Sequence, residues 1–196
     1  MTPVRSNQSR WVSWGLGSAN YWFTFVTDPL TIVFFVLWEL YVLRTNIWLL
    51  TLSYLAGVAV WTLVEYVFHR YVYHKGQTAA KAGHMIHHQS PDTLIAMPWF
   101  VVTAAFGTFW YVAAVLLKIP FVITVAAGLL SGFVFYGVFH HLLHHFEFHG
   151  RWYRRMRAHH FIHHRLPNMN FGVTSRFWDQ VFRTSHRLNG SRHAQP

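Results

Sequence analysis

The chain has 196 residues, 53% of them apolar, 19% aromatic and only 11% charged. An average soluble domain is about a quarter charged, so this composition points to a membrane protein, read here as one domain over 1–196. Cysteine is absent, which excludes disulfides and thiolate metal sites and leaves nitrogen and oxygen as ligand atoms. The formal charge of +10 arises from 16 Lys and Arg against 6 Asp and Glu. Basic residues beside apolar spans mark a membrane face rather than a nucleic-acid partner.

In chain order, Met1 to Gly17 is polar with scattered tryptophans. It has neither the compact apolar core nor the small-residue cleavage site of a signal peptide, and 1–20 is expected as a polar N-terminus. Pro29 to Leu43 is an apolar run interrupted by Glu39, extended upstream by the aromatic approach from Tyr21 to Phe25. Arg44-Thr-Asn46 then leads into a second run, Ile47 to Phe68. A bilayer core roughly 30 Å thick takes about 20 helical residues, which both runs supply. A polar stretch from His69 to Thr93 follows, and then two more runs, Ala96 to Leu117 and Ile119 to His140, with a turn at Lys118-Ile-Pro120.

The pattern predicts an all-α integral membrane protein: four transmembrane helices in two hairpins, with a helical cap carrying a histidine-rich dinuclear metal site. Arg5, Arg10, Arg70, Lys75, Lys81 and nine arginines from Arg151 to Arg192 fall on the histidine side, against Arg44 and Lys118 opposite. The positive-inside rule makes that side, with both termini, cytoplasmic. The tail, 190–196, is expected to be flexible.

The sixteen histidines gather in groups. These are His69 and His74 in H-x4-H spacing, His84 with His87 and His88 in H-x2-HH, His140 and His144 behind Tyr136, and His160 with His163 and His164, again in H-x2-HH. Residues three and four apart share a helix face, so each triplet can converge, and Tyr136, His140 and His144 form one stripe. Neutral imidazole is a common ligand for divalent transition metals. One histidine near a helix end is more often an interfacial group than a ligand; four groups on one membrane side are another matter. Ten imidazoles exceed the needs of a structural zinc. With only 6 acidic residues, a carboxylate-bridged di-iron bundle is excluded, whereas two iron ions with open positions suit dioxygen chemistry on an unactivated C–H bond.

Glu65, one turn before His69, is read as a partner orienting a histidine, against the alternative of an interfacial bystander. Asp179 is read as either a partner of a ligating histidine or a cap of the last helix. Tyr136 and Trp178 are the aromatic residues expected in a substrate slot, among neighbours such as Trp99, Phe100, Trp110, Phe133, Phe135 and Phe139. His141, His145, His149 and His159 are expected as non-ligands, and His186 and His193 in solvent. The arginines from Arg151 to Arg157 suit anionic lipid or an acidic electron donor.

These spacings resemble the integral-membrane fatty acid hydroxylase superfamily, which includes sterol desaturases, sterol methyl oxidases and carotenoid ring hydroxylases. Arg157-Ala-His-His-Phe-Ile-His-His164, followed by Asn170-Phe-Gly-Val-Thr-Ser-Arg-Phe-Trp-Asp-Gln-Val-Phe-Arg-Thr184, is most similar to the fatty acid 2-hydroxylase branch. The match covers about residues 60–184. It implies a di-iron centre held by His69, His74, His84, His87, His88, His140, His144, His160, His163 and His164. It also implies dioxygen as co-substrate and hydroxylation beside the carbonyl of a long acyl chain in sphingolipid-like molecules. Zinc found in such a site would not decide the native ion.

Two departures stand out. The fused haem-binding domain common in the eukaryotic enzymes has no counterpart in these residues, so electrons are expected from a separate donor protein. No histidine precedes His69, so the additional upstream ligand of that branch is missing, and one ion has water or one ligand fewer. The alternatives are a carotenoid ring hydroxylase or sterol oxidase using the same metals and, further off, a metal transporter or metal-binding membrane protein. Gathering of the histidines at one membrane face disfavours transport, for which Glu39, neutralised by Arg44, would be the sole mid-membrane group.

Overall fold

The computed structural model describes residues 10–186. Its elements are α1 (Arg10–Gly15), α2 (Ser18–Leu37), α3 (Ile47–Val67), α4 (Ala79–Gln89), α5 (Trp99–Trp110), α6 (Val122–His145), α7 (Arg151–Arg165) and α8 (Phe177–Val181). Three helices continue unbroken into π-helical stretches: α2 into Trp38–Val42, α3 into Phe68–Lys75 and α5 into Tyr111–Leu116. Four resulting segments, Ser18–Val42, Ile47–Lys75, Trp99–Leu116 and Val122–His145, are long and apolar enough to cross a membrane. Their outward faces carry exposed Leu30, Val33, Leu52 and Leu55, as side chains bathed in lipid would be.

The spans differ from expectation at their ends. The first takes in the aromatic approach from Tyr21 to Phe25, as expected, but begins earlier, at Ser18, so that Asp28 lies within it, and Thr24, Thr27 and Thr31 return their hydroxyl protons to backbone carbonyls of their own helix. The second runs to Lys75 rather than ending at Phe68, so the start of the polar histidine stretch is the end of a membrane helix. The fourth runs through His145.

Of the four spans, α6 is the one most buried by its neighbours. It packs against α3 and α2, while α5 packs against α2. Small residues allow the closest approach: Gly57 of α3 faces Gly128 of α6, and a Cβ on either would strike the other helix's backbone. Close backbone approach through small residues is the usual way membrane helices gain packing where no hydrophobic effect drives them together. Tyr54 donates to the Ser131 hydroxyl at 2.7 Å across the same interface. At the end of the bundle away from the histidines, buried Glu39 accepts from the Thr45 hydroxyl at 2.7 Å. That bond closes the turn after α2, and it replaces the expected neutralisation by Arg44, which is exposed.

At the opposite end the shorter helices collect around the ends of α3 and α6. There α4 lies against the π-helical end of α3 and against α1, α7 lies against α6, and α8 against α3.

Candidate metal centre

The H-x4-H pair depends on an irregularity of the backbone. Five residues along an α-helix rotate a side chain about 140° out of line, so His69 and His74 would diverge on a regular continuation of α3. The stretch Phe68–Lys75 is instead π-helical, with i→i+5 hydrogen bonding, and the two imidazole rings come within 5.2 Å of each other.

The ten histidines form two groups of five, within each of which the ligand atoms all lie within 4.8 Å of one another. One group is His69, His74, His84, His88 and His163; the other is His87, His140, His144, His160 and His164. Each H-x2-HH triplet is therefore divided, instead of converging whole as expected. The i,i+4 pair His84 and His88 enters the first group while His87 enters the second, and His160 and His164 enter the second while His163 crosses to the first. The two groups abut where His88 stacks on His164 at 4.3 Å.

The donor chemistry fits a cation in each group. Nε2 of His84 lies 3.1, 3.0 and 3.0 Å from Nε2 of His69, His74 and His88. A neutral imidazole has one N–H, so hydrogen bonding cannot satisfy three such contacts at one atom. Ligands about 2.1 Å from a shared ion, at right angles, lie about 3.0 Å apart. In the second group, Nε2 of His144 is 2.8 Å from that of His160 and 3.2 Å from that of His140, while both ring nitrogens of buried His87 lack any hydrogen-bond partner.

Tautomers are set from behind. His69 Nδ1–H donates to the Phe171 carbonyl and His163 Nδ1–H to that of Met169, at 2.7 Å for the latter. Each ring thereby turns an Nε2 lone pair to the first group. Burial and neighbouring imidazoles push His87 down to about 2. Burial likewise pushes His163 to about 2 against the opposing pull of its Met169 bond, and holds His84 and His160 well below the ordinary histidine value. All are neutral at physiological pH, the form that binds metal.

The loop after α7 supports both groups. Asn170 takes a left-handed φ of 57°, which asparagine tolerates; its amide donates to the His159 carbonyl and its side-chain oxygen accepts from His186 N–H. Asp179, fully buried, accepts from Phe171 N–H and Gly172 N–H, both at 2.8 Å, from the Thr184 hydroxyl, and from His159 Nε2 at 3.0 Å. Burial would raise its carboxyl, yet these donors hold it below the ordinary carboxylate value. Its histidine partner lies outside both groups, so Asp179 acts on them through the loop. Only a glycine fits at 172, where a Cβ would meet the Ser175 carbonyl and Asp179 itself.

Glu65 also meets the loop, in place of the expected bond to a histidine. It accepts from Val173 N–H at 2.7 Å, from Thr174 N–H at 2.9 Å and from the Thr174 hydroxyl. α3 is thereby tied to the segment whose Phe171 carbonyl holds His69.

A cavity of about 510 Å³ opens beside the groups. Its wall includes His84 of the first group and His87 and His140 of the second, with apolar residues of α2, α5 and α6. Tyr136, in that wall, stacks on His140 at 5.7 Å. Tyr73, which the sequence reading passed over, stacks on His84 at 5.1 Å in the same wall; its position relative to His74 was the available signal. Trp178 does not line the cavity: its indole donates to the Thr62 hydroxyl at 3.0 Å, joining α8 to α3.

His141, His145 and His159 stand apart from the two groups: His141 Nδ1 lies 2.9 Å from the Tyr21 hydroxyl, and His145 packs on His141. His149 is exposed, and His186 is half-buried rather than in solvent; His193 lies outside the described residues. Replacing His145 or His149 with Ala should leave activity near the wild-type level, whereas His144→Ala should lower it by more than about 100-fold. Equal losses in an assay of lipid hydroxylation would contradict this division.

The chain belongs to the fatty acid hydroxylase family, whose model matches residues 54–184. It is 32% identical over 148 residues to a dihydroceramide fatty acyl 2-hydroxylase of Arabidopsis thaliana, a match covering 71% of this chain and 62% of that protein. It is 33% identical over 150 residues to a ceramide very long chain fatty acid hydroxylase of Schizosaccharomyces pombe, covering 69% and 42%. The fold is similar to a solved structure described as full-length scs7p with only its hydroxylase domain visible. That likeness has a TM-score of 0.69 at 26% identity, over 85% of this chain and 67% of the other. The chain thus spans less than two thirds of the length of the curated relatives named here.

Proposed function

We propose that this protein is a membrane lipid hydroxylase acting at the 2-position of a long fatty acyl chain, with the ten histidines of the two groups holding two iron ions. The observation that carries the reading is the apolar cavity that ends on His84, His87 and His140, members of both groups. A slot of that kind lays a hydrocarbon chain against both positions at once. The pair of ions would supply dioxygen activation for insertion into an unactivated C–H bond. Electrons come from a separate redox protein, for which the arginines of α7 offer a basic approach.

The protein's own residues bind and aim the lipid. Tyr73 and Tyr136, each stacked on a histidine of a different group, narrow the slot at its reactive end, and the apolar wall keeps water from the reacting carbon. Glu65 and Asp179 position histidines through the loop at 169–174 and touch no substrate. Within one domain over 1–196, the spans are proposed to pair as two hairpins. The shorter helices would form a cap that, with both termini, faces the cytoplasm, as the basic residues on the histidine side favour.

Expression in a host lacking 2-hydroxylated lipids tests the reading. Total lipids should gain species heavier by one oxygen, with fragmentation placing the hydroxyl on the second acyl carbon. Oxygen on a sterol or a carotenoid ring instead would redirect the substrate assignment, and no oxygenated lipid in an iron-replete, reductase-competent host would sink it.

A further inference from the structure

We propose that Asp28 is a specificity-determining residue of the lipid slot. It accepts a hydrogen bond from a hydroxyl group that the substrate carries about 7 Å from the carbon to be oxidised, and it disfavours lipids that are anionic at that point. The proposal relies on the hydroxylase reading for events at the histidine end and on separate observations for Asp28 itself.

Asp28 lies within the membrane-spanning segment Ser18–Val42 and is only 2% exposed. An ionisable group at that depth is costly and, in a spanning helix, usually functional. The Thr27 hydroxyl lies 3.5 Å from its Oδ1, at the long limit of a hydrogen bond. That hydroxyl lies 3.0 Å from the Phe23 carbonyl, to which it donates its single proton. The carboxyl group is therefore left with one long, shared contact as its only side-chain donor among those found in the described residues, and Asp28 lines the cavity.

The register of the two walls measures where Asp28 stands. Tyr21, Thr24, Phe25 and Asp28 follow i, i+3, i+4, i+7 spacing on α2 and all line the cavity, opposite Phe133, Gly137 and His140 of α6. The Tyr21 hydroxyl meets His141, and the Phe25 ring lies over Gly137, so the helices run antiparallel and Asp28 comes level with Phe133. Two turns separate Tyr21 from Asp28 on one wall, and two turns separate His140 from Phe133 on the other. Both give about 10 Å between the histidine end and the carboxyl end of the slot.

A plain hydrocarbon chain would leave that carboxyl with only the long Thr27 contact, and a second carboxylate there would face a like charge in apolar surroundings. A hydroxyl satisfies it. An extended chain advances about 1.2 Å per bond and an O–H···O bond adds about 2.7 Å. The head hydroxyl of an N-acylated amino alcohol, several bonds from the second acyl carbon, therefore reaches Asp28. A hydroxyl near the eighth carbon of the acyl chain would reach it equally, and the two sources separate experimentally.

The purified full chain in phosphatidylcholine nanodiscs, holding a fluorescent acyl lipid, is to be challenged with three competitors. These are an N-acyl amino alcohol, its deoxy analogue, and an N-alkyl acyl amide hydroxylated at the eighth carbon. Wild-type protein should prefer one hydroxylated competitor over the deoxy analogue by about tenfold or more, and the preferred one identifies where the hydroxyl sits. Asp28→Leu should reduce the preference to near parity while keeping affinity for the deoxy analogue. If that variant fails to fold, Asp28→Asn decides, since a neutral acceptor makes a weaker bond and the preference must shrink. No preference in wild-type protein, or an unchanged preference in the folded variant, overturns the proposal. Because binding is read without turnover, failure here leaves the hydroxylase reading intact, and failure of the lipid-mass experiment leaves this result standing.

Discussion

Replacing His163 with Ala is expected to abolish lipid hydroxylation, by more than about 100-fold, while lowering bound metal toward one ion per chain. His163 is fully buried, and its Nε2 lies 3.0 Å from that of His74. It is the one residue of α7 that crosses to the group otherwise built from α4 and the π-helical end of α3. Its removal takes from that group the only ligand tying it to α7. His87→Ala should do the reverse, since His87 is the sole member of the second group contributed by α4. A double replacement of His160 and His164 should empty the second site and spare the first. Were each triplet a local metal site, His163→Ala would instead weaken the same ion as His160→Ala, so replacing His163 together with His160 and His164 should leave no ion if the groups are divided as described and one ion if the triplets are local.

Glu65→Ala is expected to cost about 3–5 kcal/mol of stability, because the Val173 and Thr174 N–H groups and the Thr174 hydroxyl would lose their acceptor in a buried setting. For a chain of this size that corresponds to a fall of about 10 °C in melting temperature. Activity should fall with it, since the same loop presents the Phe171 carbonyl to His69 and the Met169 carbonyl to His163. Glu65→Gln should cost less, as its carbonyl oxygen still accepts while its NH2 confronts backbone donors. Thermal unfolding within a degree or two of wild type, with metal content intact, would show that the loop does not depend on this carboxylate.

The sequence named the ten histidines because local spacing and composition carry that signal. Their division between two groups is a tertiary property: on the helix surface His84, His87 and His88 share one face, and only packing of α4 between the end of α3 and the pair α6 and α7 sends His87 one way and its neighbours the other. The H-x4-H spacing did hold information, since it misaligns on an α-helix and aligns where hydrogen bonding shifts to i→i+5. Glu65 and Asp179 were visible as unusual carboxylates, but their partners are backbone N–H groups of a loop, which no side-chain pattern announces. Asp28 was passed over because it stands just before the apolar run at Pro29, and the helix that continues upstream through Tyr21 puts it inside a membrane span.

The family assignment and the paired histidine groups converge on one central claim, that two metal ions sit side by side at the end of a lipid slot. Iron bound per chain, measured on protein purified from iron-supplemented cells, tests it most directly. Two ions per chain are predicted, falling to near one in both His163→Ala and His87→Ala. Fully active protein holding one ion or none would contradict it.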